Sequence, residues 1–196
     1  SFSLKDQKGN IRTSNNLKKS LVLFFYPKDD TPGCTIEACG FRDKYDLFKI
    51  LGAEVWGISN GSSQSHLGFA NKNKLQYPLL CDQNNILRNQ FGVPKKLGFI
   101  EGRVTYIINS EGVIKHIFED LLNGPAHIKE AIKALKSEVP GFEKSKLRNF
   151  GMTLGTRDSR KIIGEYNHVA TYDSIAISMQ RKLEGKMSII TKDILL

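Results

Sequence analysis

The chain has 196 residues, 40% apolar and 25% charged, the balance of a soluble globular protein with room for one domain and an appendage. No apolar run approaches the ~20 residues that cross a bilayer, and three cysteines are too few for a secreted disulfide framework, so no membrane span and a reducing compartment are expected. The formal charge of +9 is scattered, with no basic block interleaved with aromatics, which favours a diffuse positive surface and no nucleic-acid partner.

The chain opens on Ser1 with no charged-then-apolar leader. Lacking an initiator methionine, it is read as processed or partial, and the missing leader carries no information on compartment. Phe2 to Asp6 reads as a short strand, followed by a turn at Lys8-Gly9-Asn10. Leu21 to Tyr26 is continuously apolar, which suggests a strand buried on both faces. Pro27 to Gly33 is dense in Pro, Asp and Gly and reads as a loop. From Cys34 to Ile50 apolar residues recur at helical spacing (Ala38, Phe41, Tyr45, Phe48), and Gly52 is the expected stop.

Ala53 to Ser59 is the next predicted strand and Ser65 to Lys74 the next helix. A short strand is expected over Tyr77 to Cys81, and a short helix over Asn84 to Phe91. Arg103 to Asn109 and Val113 to Phe118 read as a hairpin joined by Ser110-Glu111-Gly112. Ala126 to Lys136 is an amphipathic helix with Ile128, Ala131, Ile132 and Leu135 on one face. The alternation predicts an α/β fold with parallel crossovers on one side of the sheet and an antiparallel pair at the other edge. Past Val139-Pro140-Gly141 the pattern stops. The chain therefore divides into a domain over 1–138 and a C-terminal extension over 139–196, of unknown structure and function, whose composition is compatible with partial disorder.

The chemistry concentrates in Pro27-Lys28-Asp29-Asp30-Thr31-Pro32-Gly33-Cys34-Thr35. A buried strand feeds a tight loop, and the loop delivers Cys34 to the first turn of a helix. Free N–H groups and the helix dipole favour negative charge there, which stabilises a thiolate, the nucleophilic form of cysteine. Thr31 offers a hydroxyl to orient an oxygen near the sulfur, and Pro27 and Pro32 stiffen and shield the loop. A lone cysteine at such a place is more often an inert small residue. The loop chemistry, the helix start and the nearby Cys39 together outweigh that reading.

Cys39 lies five residues on. On a continuous helix this is a rise of ~7.5 Å and a turn of ~140°, hence a Cα separation of roughly 8.5 Å. A disulfide requires less than about 7 Å. Either the first helical turn unwinds on oxidation or the two never pair; unwinding is the expectation adopted.

Thr31-Pro32-Gly33-Cys34-Thr35 with Glu37-Ala38-Cys39 and Phe41-Arg42-Asp43 resembles the peroxiredoxin family, specifically its peroxiredoxin Q or bacterioferritin comigratory protein branch. The similarity extends over about 2–138, through Leu4-Lys5-Asp6, Val22 to Pro27, Ala53-Glu54-Val55, Gly57-Ile58-Ser59, Phe91-Gly92-Val93 and the last helix. It implies a thioredoxin-like fold, a central mixed sheet flanked by helices. It also implies a peroxidase of hydrogen peroxide and organic hydroperoxides. Cys34 would become a sulfenic acid, Cys39 would resolve it as a disulfide, and thioredoxin or a similar dithiol would reduce the pair. Arg103, at the family's Arg-x-Thr position, would lie over the sulfur, although its spacing alone reads as a surface residue at a strand start. The same resemblance leads to a monomer or weak dimer, in bacterial cytoplasm or a plastid.

Cys81 departs from the family, which more often has a small polar residue there, and is read as a buried or half-buried bystander. His66, His116 and His127 are read as surface or satisfied histidines. The Cys34–Cys39 spacing is too long for a usual zinc knuckle and no second pair follows, so no metal is expected. Residues 155–166 faintly resemble a stretch of FAD-dependent oxidoreductases, but no Gly-x-Gly-x-x-Gly opens a helix anywhere in the chain, and no organic cofactor is expected. Two other classes remain open beside the enzyme: a redox sensor that reacts once, and a basic scaffold whose ligand binding weakens with salt.

Overall fold

The apolar run at Leu21 folds as β3 (Ser20–Phe25), and in the computed structural model it lies in the middle of a five-stranded sheet. The structure describes residues 1–138 other than 16 and 97; the predicted C-terminal extension lies outside the described residues. β3 pairs in parallel with β4 (Ala53–Ser59), which pairs in parallel with β5 (Leu79–Cys81). On its other side β3 runs antiparallel to β8 (Val104–Ile108), and β8 to β9 (Ile114–Glu119). The order β5-β4-β3-β8-β9 is the mixed sheet expected from the sequence, with its parallel and antiparallel halves meeting at β3.

Burial on both faces explains why β3 shows no polar alternation. Leu21, Leu23 and Phe25 pack on one face with Trp56, Ile58, Val104 and Tyr106. Phe24 and Tyr26 face the other way, where Phe24 stacks on Phe41 of α1 (Pro32–Asp43) at 4.5 Å between ring centroids. α5 (Gly124–Glu138) packs beside α1 on that face, burying Ile128, Ala131 and Leu135.

Several boundaries differ from expectation, each for a local reason. The helix predicted from Cys34 to Ile50 starts two residues earlier, because Pro32 suits the first helical position. It breaks at Lys44 into α1 and α2 (Tyr45–Ile50), and the bend keeps Leu47 and Phe48 against the core. β5 begins after Pro78, which has no N–H to give a ladder. α3 (Ser63–Lys72) starts earlier than predicted because Ser62 caps it, its hydroxyl accepting from the Ser65 amide at 3.2 Å. The first strand, β1 (Ser3–Lys5), pairs with β2 (Ile11–Thr13), a three-residue strand too short to show a pattern. α4 (Ile86–Gln90) follows a 3-10 turn at Gln83–Asn85. A two-residue hairpin, β6 (Lys95–Lys96) and β7 (Ile100–Glu101), was equally invisible in the sequence.

Candidate active site

β3 ends at Phe25, and the chain turns into the loop that carries the predicted nucleophile. The loop is held from beneath by Asp29. Its carboxylate accepts hydrogen bonds from Tyr26 Oη at 2.7 Å and Ser65 Oγ at 2.6 Å, and lies 2.7 Å from His66 Nδ1. Burial acts to raise the Asp29 carboxyl, but the hydrogen bonds from His66, Ser65 and Tyr26 outweigh it and hold it below the usual carboxylate range. Asp30 takes a left-handed φ of 56°, which an Asp tolerates better than most residues. Thr31 then occupies the N-cap position in extended conformation. Its hydroxyl donates to the Lys28 carbonyl at 3.1 Å, inside the loop, and makes no capping bond. Pro27 sits half-buried where β3 gives way to this loop.

Cys34 is the third residue of α1 and only 2% exposed. Arg103, 4% exposed, precedes β8 and donates from Nη2 to Cys34 Sγ at 3.4 Å. Its Nη1 pairs with Glu37, and its Nε donates to the Leu121 carbonyl at 3.1 Å. The fork is thus fixed at three points, and one nitrogen is aimed at the sulfur. Burial works against the guanidinium's charge, yet Glu37 and Cys34 more than compensate and raise its pKa.

Glu37 is fully buried one helical turn beyond Cys34. Burial pushes its carboxyl up to about 8, against the pull of Arg103. Oε1 makes no hydrogen bond and lies 3.7 Å from His127 Nδ1. His127 Nε2 is 2.8 Å from the Asp120 carbonyl, which can only accept, so the proton sits on Nε2 and Nδ1 accepts from Thr105 Oγ1 at 2.8 Å. Burial lowers the His127 pKa to about 4, which keeps the ring neutral.

Cys39 lies on the same unbroken helix, half-buried, with Sγ 3.7 Å from Asn73 Oδ1. Both thiols are free. The structure therefore brings Cys34 and Arg103 together and leaves Cys39 one and a half turns away on the helix. Arg42 points to Asn73, donating to its carbonyl at 2.8 Å, and plays no part at the sulfur of Cys34. Cys81 ends the edge strand β5, 3.4 Å from Ser63 Oγ, and burial pushes its thiol up. His66 and His127 are buried with partners, and half-exposed His116 lies 3.7 Å from Glu130. Among the described residues, no cluster of His, Cys, Asp and Glu is arranged to hold a metal ion.

Sequence reasoning missed Glu37, the Asp29–His66 pair and Arg88. Glu37 had one local signal: three residues after Cys34 on a helix, it shares that residue's face, whereas its partner Arg103 lies 66 positions away. The Asp29–His66 pair spans 37 residues and left no local trace.

The family model described as the AhpC/TSA family matches residues 1–117. A second model, FAD dependent oxidoreductase, matches residues 72–178. Their shared residues, 72–117, include β5, β8 and part of β9 of the one sheet, and the second match continues outside the described residues. Chloroplastic peroxiredoxin Q of Sedum lineare is 46% identical over 138 residues, 69% of this chain and 74% of that protein. The Arabidopsis thaliana counterpart is 48% identical over 138 residues, again 69% of this chain but 64% of its own length, so the chain spans less than two thirds of that relative. Among solved structures, peroxidoxin BcpB of Mycobacterium tuberculosis superposes with a TM-score of 0.64 at 35% identity, covering 69% of this chain and 92% of that one. The bacterioferritin comigratory protein of Xanthomonas campestris, solved to examine alkyl peroxide reduction, gives 0.64 at 28% identity, covering 70% and 91%.

Proposed function

The chain belongs to the AhpC/TSA family, among the relatives of peroxiredoxin Q, and on that premise we propose that it is a thiol-dependent peroxidase with Cys34 as its nucleophile. The observation that carries this reading is the buried guanidinium of Arg103, with Nη2 3.4 Å from Cys34 Sγ. A cation there favours the thiolate and offers donors to the two oxygens of a peroxide.

The chemistry needs sulfur alone. The Cys34 thiolate attacks one peroxide oxygen, an S–O bond forms, and the O–O bond breaks. The departing alkoxide or hydroxide takes a proton and leaves as alcohol or water. Sulfur is oxidised to the sulfenic acid, and the peroxide is reduced by two electrons. Arg103 stabilises charge on the departing oxygen. The Thr31 hydroxyl, 3.1 Å from the Lys28 carbonyl in the resting site, turns to the incoming oxygen, while Pro27 stiffens the loop. The first turn of α1 then unwinds, the Cys39 sulfur attacks Cys34, an S–S bond forms and water leaves. A dithiol protein of the thioredoxin type reduces the disulfide by exchange. The protein acts as a monomer or weak dimer, in a plastid or bacterial cytoplasm.

Peroxide-dependent NADPH oxidation, coupled through thioredoxin and its reductase, tests this directly. Sustained turnover by the wild type and none by Cys34→Ser is the expected result. A wild type that never oxidises Cys34 would end the proposal.

A further inference from the structure

We propose that Arg88 is a positioning residue for the peroxide site, tying the backbone that enters the nucleophile's loop to the backbone that enters Arg103. This rests on the peroxidase reading above. The β3–β8 ladder runs from Leu21 opposite Ile108 to Phe25 opposite Val104 and stops there. Immediately beyond it the two chains carry the two halves of the site: Tyr26 leads to the loop and Cys34, and Gly102 leads to Arg103. The Tyr26 N–H still donates to the Ile58 carbonyl of β4 at 3.1 Å, but its carbonyl does not continue a ladder. That carbonyl accepts from Arg88 Nη2 at 2.8 Å, and the Gly102 carbonyl accepts from Arg88 Nη1 at 2.7 Å. One planar fork with fixed donor separation therefore sets the gap between the two strand ends where the ladder no longer does.

Three further observations agree. Arg88 is 1% exposed, and its guanidinium lies over the Phe25 ring, 5.6 Å from the centroid, at the last paired residue of β3. Its own place is fixed by Asp82, whose carboxylate accepts from the Leu87 and Arg88 amides at 2.9 and 2.8 Å. On the far side, a Cβ at Gly102 would meet the Pro94 carbonyl at 2.2 Å, so the backbone before Arg103 is confined between Pro94 and Arg88. A buried cation that gives two donors to carbonyls, with the Glu101 carboxylate no nearer than 3.7 Å, is a costly way to gain stability alone. What it holds is the distance and angle of Arg103 relative to the loop. Lysine keeps the charge but has no fork, and cannot span both carbonyls in the same geometry.

The test uses the full chain with Cys39→Ser and Cys81→Ser, so that Cys34 is the one reactive thiol. Two single-turnover rates are measured: oxidation by hydrogen peroxide, which needs the oxygens aligned, and alkylation by iodoacetamide, which needs only an accessible thiolate. Arg88→Lys is expected to slow the peroxide reaction by about tenfold to a hundredfold and alkylation by less than about twofold. With Arg103→Met already present, Arg88→Lys should cost little more, because its effect passes through Arg103. Leu87→Ala, a destabilising change in the same short helix, should lower the melting temperature without this selective loss. A wild-type peroxide rate in Arg88→Lys, equal losses with both reagents, or the same pattern in Leu87→Ala would overturn the role. Should Arg88→Lys fail to fold, Asp82→Asn loosens Arg88 without removing it and must show the same selectivity on a smaller scale; no selectivity there overturns it too. A wild-type Cys34 inert to peroxide would instead sink the peroxidase reading itself.

Discussion

The two cysteines of α1, one in its first turn and one in its middle, sit in opposite surroundings. In the first turn Cys34 is buried against Arg103, and beside it a Cβ on Gly124 at the α5 start would crowd Glu37 at 3.1 Å. Five residues on, Cys39 is half-buried, with a long contact to Asn73. On the proposed mechanism a small peroxide reaches the buried sulfur and a protein reductant does not. The nucleophile gains from a dry, charge-compensated pocket because electrostatic interactions strengthen where water is excluded. The proposed resolving sulfur of Cys39 would gain from its greater exposure and looser attachment. For the proposed disulfide to form, the first turn must let go, giving up the Thr35 N–H to Thr31 carbonyl bond of 2.9 Å and the Arg103 contact to Cys34.

That contrast can be broken from either side. The largest effect is expected from Cys39→Ser: thioredoxin-driven cycling falls to background while one equivalent of peroxide is still reduced, as read by NADPH oxidation against thiol titration. Full cycling by this variant would remove the proposed role of Cys39. Next comes Arg103→Met, which deletes the donor at the sulfur and should slow peroxide oxidation of Cys34 by about 10²- to 10³-fold, in line with the loss of one preorganised donor.

Smaller effects sharpen the electrostatic half of the comparison. Glu37 is the unusual member because its folded pKa is raised, from 4.5 to about 8. Between those values the unfolded chain has released a proton that the native state retains, so this group lowers stability as pH rises through that window. Glu37→Gln should remove the slope, and its melting temperature relative to wild type should climb from pH 4.5 to 8. A constant difference would show that Glu37 does not titrate in this window. Asp29 works in the other direction: its depressed pKa contributes stability above the ordinary carboxylate range that is lost as pH falls through the folded value. His66→Gln should therefore cost about 1–3 kcal/mol at neutral pH, the usual cost of leaving a buried partner unsatisfied, with less cost in acid. Denaturant unfolding at pH 7 and pH 3 checks both parts.

Much of the site was legible because its signals are local. The Pro and Gly density before Cys34, the apolar run feeding it and the apolar spacing after it lie within thirty residues, and together they place a cysteine at a helix start. The sheet was legible for the same reason: β3 and β4 are apolar runs of ordinary strand length. The break at Lys44, the small strands β2, β6 and β7, and the left-handed Asn84 and Asn85 were not. These elements of two or three residues, unlike β1 and β5, have no apolar run or flanking turn signal to mark them, and are fixed by what they pack against.

By itself, the sequence determined the order of the longer strands and helices, the mixed character of the sheet, and the candidate nucleophile, since helix dipole, loop stiffness and hydrophobic pattern act between near neighbours in the chain. Apart from Arg103, which the family resemblance offered, only the tertiary structure decided which polar groups surround that cysteine. Arg103 meets Cys34 across 69 positions, Asp29 meets His66 across 37, and Arg88 reaches Tyr26 across 62. A charge leaves no periodic mark in a sequence, and whether it ends in water or against a buried sulfur is settled only when the sheet brings its strand ends together.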